Sequence, residues 1–189
     1  MIRRNYILSL HDLIQIILTK YSNEKKKKIA GNKLASLLRN GLHNIVSEDL
    51  LGEDHQTQGS AGQGQWSIVP WIGIFDKNIS TTAQKGFDIV YLFSPDMQKV
   101  YLSLNQGWTL YKENFGNEAF KKIQTVSYYW QNNLKTRSSR MNDTPIDLQS
   151  NIFKTSNLPK GYELGNIFSI CYEKNKLPDN EIMVQALRD

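Results

Sequence analysis

Apolar residues recur at Leu10, Leu13, Ile14, Ile17, Leu18 and Tyr21, the i, i+3, i+4, i+7 spacing of an amphipathic helix, and Ser9 stands where a capping hydroxyl belongs. The spacing predicts a helix over about 10–22. The run Lys25 to Lys28 separates it from a second pattern at Leu34, Leu37, Leu38, Leu42, Ile45 and Val46, weakened by Gly31 and Gly41. Residues 1–50 therefore read as a helical hairpin that packs on whatever follows. From Ser47 to Gln65 the chain is polar and glycine-rich without periodicity, which predicts one long loop.

Residues 66–75 (WSIVPWIGIF), 87–93 (FDIVYLF) and 100–104 (VYLSL) are β-branched and aromatic and bounded by turn residues, so they predict strands. The last two form a hairpin over Ser94 to Lys99. Pro70 cannot donate to a ladder, which makes the first strand an edge or places a bulge there. A helix over about 117–134 follows. The polar stretch 136–160 has room for one or two short strands, Ile167 to Tyr172 is a further strand, and Pro178-Asp179 opens a helix carrying Ile182, Met183, Ala186 and Leu187. That helix still runs at Asp189, the expectation being a longer polypeptide. The order of elements gives one α+β domain, with residues 51–189 as its sheet-centred core.

Composition narrows the class of protein. Apolar residues are 40% and charged residues 22% of 189, and no run approaches the roughly 18 apolar residues of a membrane span. No cleavable leader is evident, so a cytoplasmic protein is expected. Cys171 is the single cysteine, which excludes an internal disulfide and a cysteine zinc cluster and reads as a small buried hydrophobe. The net charge is +5, with nine basic against four acidic residues over 1–50, four of each over 60–116, and seven against three over 117–160. Two basic flanks around a neutral aromatic middle suit a polyanion.

Catalytic signatures are sparse. Pro95-Asp96 has no Glu-x-Lys on the next strand, as a metal-dependent nuclease needs, and His11, His43 and His55 show no ligand spacing. Gly59, Gly62 and Gly64 lack the Gly-Lys-Ser/Thr ending of a nucleotide loop. They read either as a linker or as a loop that brings backbone close to a ligand with Gln63 and Gln65 at its tip. Asp88, Val90 and Leu92 share one strand face, so a carboxylate stands among apolar neighbours. Its partner is either a cytosine amino group or a lysine, Lys85 or Lys99.

The segments 62–66 (GQGQW), 69–75 (VPWIGIF), Lys85-Gly86, 90–93 (VYLF) and 100–107 (VYLSLNQG) together resemble the McrB-type N-terminal domain of modification-dependent restriction systems. The resemblance implies a curved, mostly antiparallel sheet flanked by helices that binds double-stranded DNA and flips a modified cytosine, 5-methyl or 5-hydroxymethyl, into a pocket. It implies no catalysis, cofactor or metal in this chain; an effector nuclease or NTPase domain or subunit beyond residue 189 would cut. The family positions that hold the base, an aromatic and a leucine, fall on Asp88 and Leu92. Leu92 agrees and Asp88 departs, so either another aromatic such as Trp71 or Tyr91 stacks on the base, with Trp66 also lining the pocket, or the preferred modification differs. The loop Gly62-Gln63-Gly64-Gln65 resembles the wedge that fills the duplex gap.

Charge and position alone nominate Lys77, Lys85, Lys121, Lys122, Arg137 and Arg140 as phosphate contacts, with Lys25 to Lys28 and Lys33 behind them. Two other classes compete with the DNA reader. One is a metal-dependent nuclease with a cryptic site around Asp143 and Asp147; the other is an adaptor that offers the leucines of 10–46 to a partner helix.

Overall fold

The computed structural model describes residues 8–46, 52–80, 82 and 84–189. Ser9 caps α1 (Leu10–Glu24): its hydroxyl accepts from the Asp12 amide at 3.0 Å, while the Asp12 carboxylate accepts from the Ser9 amide at 3.2 Å. Asn32 caps α2 (Lys33–Asn40), its side-chain oxygen accepting from the Leu34 and Ala35 amides. The second helix is shorter than its apolar pattern, ending at Gly41 and continuing as turns to Val46. Part of the expected long loop, residues 47–51, lies outside the described residues.

Five strands, β1 (His55–Ser60), β2 (Trp71–Asp76), β3 (Phe87–Phe93), β4 (Lys99–Gln106) and β5 (Phe168–Glu173), pair in that order. Every pairing is antiparallel and the sheet is open, so the α+β reading holds. Two expectations are corrected here. Residues 47–65 are not one loop, because β1 lies within them; its polar sequence HQTQGS hides a strand that the ladder to β2 holds in place. Pro70 precedes β2 rather than interrupting it, so β2 is an interior strand with β1 outside it. The β3–β4 hairpin turns as expected: the Ser94 amide donates to the Lys99 carbonyl at 2.9 Å, and Met97 takes a left-handed φ of 57° with its side chain in the core.

Residues 107–167 connect β4 to β5 and carry α3 (Trp108–Phe115), α4 (Ala119–Asn133) and α5 (Leu158–Gly165). The short strands expected over 136–160 are absent; that stretch makes one isolated bridge, Asn142 to Ser169, and inserts Ile146 and Leu148 against the sheet. α6 (Asn180–Arg188) follows β5.

Side chains alternate across the strands, giving two faces of different use. Ile72, Ile74, Tyr91, Phe93, Val100, Leu102 and Tyr172 face α1, α2 and α6 in the main core, where Leu13, Ile14, Ile17, Leu38 and Met183 are fully buried. α2 comes so close to β1 that a Cβ on Gly59 would stand 1.8 Å from the Leu38 carbonyl oxygen. The leucines of the hairpin are therefore inside the domain, which removes the free docking face that the adaptor reading requires. The opposite sheet face carries Trp71, Gly73 and Phe75 on β2, Asp88, Val90 and Leu92 on β3, and Tyr101, Ser103 and Asn105 on β4. Ile146, Leu148 and Tyr162 of the β4–β5 connection cover part of it.

Candidate functional site

Trp71, Asp88, Val90, Leu92, Asn105, Gln106 and Tyr162 enclose a cavity on this second face. As it stands it has room for about one water, about 10 Å³, within an open volume of about 250 Å³ that includes solvent. Gly73 lets Trp71 and Phe75 meet edge to face at 6.4 Å over β2, since a Cβ there would lie 2.8 Å from the Phe75 ring. The roof comes down because Gly161 of α5 packs directly on Trp108, where a Cβ would stand 2.3 Å from the indole. That contact seats Tyr162, the next residue, over the sheet.

The polar residues of the wall differ in state. Asn105 donates to the Ser103 hydroxyl and to the Tyr162 carbonyl, both at 3.1 Å, and accepts from the Gln106 amide at 2.8 Å. Gln106 donates to the Ser127 hydroxyl at 2.7 Å and accepts from the Tyr111 hydroxyl at 2.6 Å. Asp88 makes no hydrogen bond or ion pair among the described residues, and neither Lys85 nor Lys99 reaches it. Burial without a partner pushes its carboxyl up to about 8, so it holds its proton at neutral pH. Burial, with the Asp88 carboxyl nearby, also pushes the Tyr162 phenol well above its ordinary value.

The glycine loop leaves the sheet between Ser60 and Trp71, which pair across β1 and β2. Its neck is closed twice: the Ser67 amide donates to the Ala61 carbonyl at 2.7 Å, and the Tyr21 hydroxyl of α1 donates to the Ser67 carbonyl at 2.8 Å and the Ala61 carbonyl at 3.4 Å. Gly62 (φ 109°) and Gly64 (φ 69°) take left-handed conformations that turn the tip, leaving Gln63, Gly64 and Gln65 exposed. Trp66 stacks edge-on against Tyr21 at 5.2 Å and donates its indole N–H to the Lys27 carbonyl at 2.8 Å. The loop is thus a fixed protrusion rather than a linker.

A sequence-family model described as the MrcB-like N-terminal domain matches residues 16–189. The chain belongs to that family. Membership makes it a DNA-binding rather than a catalytic domain, in the setting of modification-dependent restriction. No curated protein matches the chain.

Within this MrcB-like domain the structure brings Trp71, Asp88 and Leu92 together and leaves two pocket candidates elsewhere. Tyr91 points to the other sheet face and is fully buried in the main core, as strand alternation requires, and Trp66 serves the loop neck. Sequence reading missed Asn105, Gln106 and Tyr162, whose signal was only the polar run after a hydrophobic strand; α5 carried no helical pattern strong enough to place Tyr162.

The basic candidates separate by how they are engaged. Lys77 and Lys85 are exposed in the turns flanking β2 and β3, Lys77 donating to the Glu53 carbonyl at 2.6 Å. Lys121 and Lys122 are exposed on α4, Lys122 lying 5.8 Å from the Phe115 ring centre. Arg137 stacks 4.6 Å over the Phe168 ring and Arg140 pairs with Asp189 at 3.1 Å, so both already have internal partners. The Lys27 backbone carbonyl accepts from Trp66 while its ammonium pairs with Glu24 at 2.6 Å, and Arg39 donates to the Gly62 carbonyl at 3.2 Å, which seats Arg39 beside the loop tip.

Elsewhere, Asp143 and Asp147 are exposed, and the described residues contain no group of three or more His, Cys, Asp and Glu placed to hold a metal ion. No described helix is long and apolar enough to cross a membrane. Cys171, expected inside, is exposed on β5, where strand alternation turns it away from the main core that receives Tyr172.

Proposed function

We propose that this domain reads modified cytosine, 5-methyl- or 5-hydroxymethylcytosine, in double-stranded DNA by flipping the base into the Trp71–Asp88–Leu92 cavity. The reading is carried by one observation: a cavity walled by Trp71, Val90, Leu92 and Tyr162, with a single carboxyl among its polar groups, lies on the sheet whose end bears a glycine-turned protrusion. Inside a duplex a methyl group offers little contact, whereas an extruded base exposes both faces and its polar edge, offsetting a few kcal/mol of unstacking. Trp71 supplies the stacking face that Asp88 cannot. The cavity as it stands has room for about one water, so Trp71 or Tyr162 swings aside as the base arrives.

Gln63 and Gln65 fill the gap left in the duplex and bond the orphaned guanine, since glutamine carries both a donor and an acceptor. The loop leaves one end of β2 while Lys77 lies just past the other, six residue steps or about 20 Å away, so the duplex runs along the strand direction and the flanking lysines grip its backbone. Cleavage falls to an effector nuclease or NTPase domain or subunit of the same restriction system.

Fluorescence anisotropy with matched duplexes carrying cytosine, 5-methylcytosine, 5-hydroxymethylcytosine or N4-methylcytosine tests this reading. The expected result is a preference of about tenfold or more for one modified duplex, about 1.4 kcal/mol, and an affinity that falls with salt. Equal affinity for all four duplexes at every salt concentration would sink it.

A further inference from the structure

The cavity wall contains two amides and one carboxyl, and they are not equivalent. Asn105 and Gln106 are locked into the frame by hydrogen bonds to Ser103, Tyr162, Ser127 and Tyr111. Asp88 faces the same space with no partner. Asp88 is half-buried, and no group among the described residues bonds its carboxyl, so its hydrogen-bonding capacity is left to whatever enters the cavity. Such a group fits a wall whose partner arrives from outside.

We infer that the Asp88 carboxyl reads the amino edge of the flipped cytosine, accepting from its 4-amino group with one oxygen and donating from the other to ring nitrogen N3. This rests on the base-flipping reading above. The two groups match because cytosine presents a donor beside an acceptor, and a neutral carboxylic acid presents the complementary pair; an ionised carboxylate has two acceptors and opposes the N3 lone pair. The surroundings favour the acid. β2 contributes the Trp71 indole, β3 the apolar Val90 and Leu92, β4 two uncharged amides, and α5 the Tyr162 phenol. A second cavity that Asp88 also borders adds His55 of β1 and Asp76 of β2, and no Lys or Arg lines either space. With its midpoint near 8, the carboxyl is the donor-bearing acid throughout the neutral range.

Thymine could satisfy the same acid with the roles exchanged, so the 4-amino group is best tested by its removal. The experiment uses the 189-residue chain and three matched duplexes bearing cytosine, 5-methylcytosine or 5-methyl-2-pyrimidinone, which lacks the amino group, at one position. Binding is measured by anisotropy at about pH 6.5 and about pH 9 for the unsubstituted protein, Asp88→Asn and Asp88→Ala.

Only the acid form donates to N3, so about one molecule in ten is competent at about pH 9, and affinity of the unsubstituted protein for the 5-methylcytosine duplex falls about tenfold between the two. Asp88→Asn places an amide donor and a carbonyl acceptor at the same positions. It keeps affinity within about threefold at the lower pH and loses the pH step. Asp88→Ala loses about tenfold at the lower pH and no longer separates 5-methylcytosine from 5-methyl-2-pyrimidinone. Lysine titration is common to all three proteins, so their ratios isolate residue 88.

An equal pH step in the unsubstituted protein and Asp88→Asn, or full affinity in Asp88→Ala, overturns the inference. A 2-aminopurine beside the target base separates the two levels of failure. If its fluorescence rises on binding while the Asp88 variants behave like the unsubstituted protein, this inference alone falls; if it never rises, the flipping reading falls with it.

Discussion

Asp88 and Asn105 stand opposite each other in the β3–β4 ladder, and only the amide of Asn105 is engaged. The pair therefore divides one position of the sheet into a structural half and an unsatisfied half. The cost of that division appears in stability as a function of pH. The folded midpoint of Asp88, about 8, lies above its ordinary value of 3.8. Between the two the folded state holds a proton that the unfolded state has lost, so stability falls as pH rises, by at most about 1.4 kcal/mol per pH unit. Urea unfolding at several pH values from about 4 to 8 should show this slope in the unsubstituted protein and its loss in Asp88→Asn. A slope that survives the substitution would assign it to another group.

On the proposed reading, Lys77 and Lys85, exposed at the ends of β2 and β3, grip the DNA backbone and are indifferent to the base. Lys77→Ala and Lys85→Ala should each weaken modified and plain duplexes alike and reduce the slope of log affinity against log salt by about 1. Arg140→Ala, whose side chain already pairs with Asp189, should leave that slope unchanged. Titrations at three or more salt concentrations compare them directly.

Tyr21 connects helix α1 to the glycine loop through a hydroxyl that reaches two carbonyls. Tyr21→Phe keeps the ring and its contact with Trp66 but removes that tie, at a cost of about 1 kcal/mol in unfolding free energy. Because the tip of the loop loses its anchor, DNA affinity should fall further than stability does. Parallel denaturation and anisotropy measurements read the two effects separately.

Gly59→Ala tests the approach of α2 to β1. The new methyl group would meet the Leu38 backbone oxygen at 1.8 Å, and a carbonyl in a helix cannot swing away as a side chain can. The expected destabilisation is about 3 kcal/mol or more, at the high end for overpacking; a loss below about 0.5 kcal/mol in chemical denaturation would show that the helix slides freely.

Segments with a strong period were legible from sequence. α1 was placed to within two residues because Ser9, Asp12 and six apolar positions all point the same way, and β3 and β4 matched their β-branched runs. β1 was not, since HQTQGS has little strand propensity and is held by its neighbour's ladder rather than by its own side chains. α5 was missed for a related reason: Pro159, Gly161 and Gly165 spoil the pattern, although the two glycines are what let the helix sit against Trp108 and Asn105. In the candidate site, alternation along β3 placed Asp88 and Leu92 on a common face and also sent Tyr91 to the other. The Tyr162 roof depended on a contact between distant parts of the chain that no local pattern encodes.

The four hairpin-linked strands β1 to β4 form from neighbours in sequence, while the helices that frame the cavity from above come from residues 107–167, inserted before β5. Floor and roof therefore come from separate stretches of the chain. The meander supplies the carboxyl, the Trp71 indole and the protruding loop, and the insertion supplies the cover and the groups that hold the Asn105 and Gln106 amides. Rebuilding that insertion, with the meander left intact, is a route to domains that accept bulkier bases on the same frame.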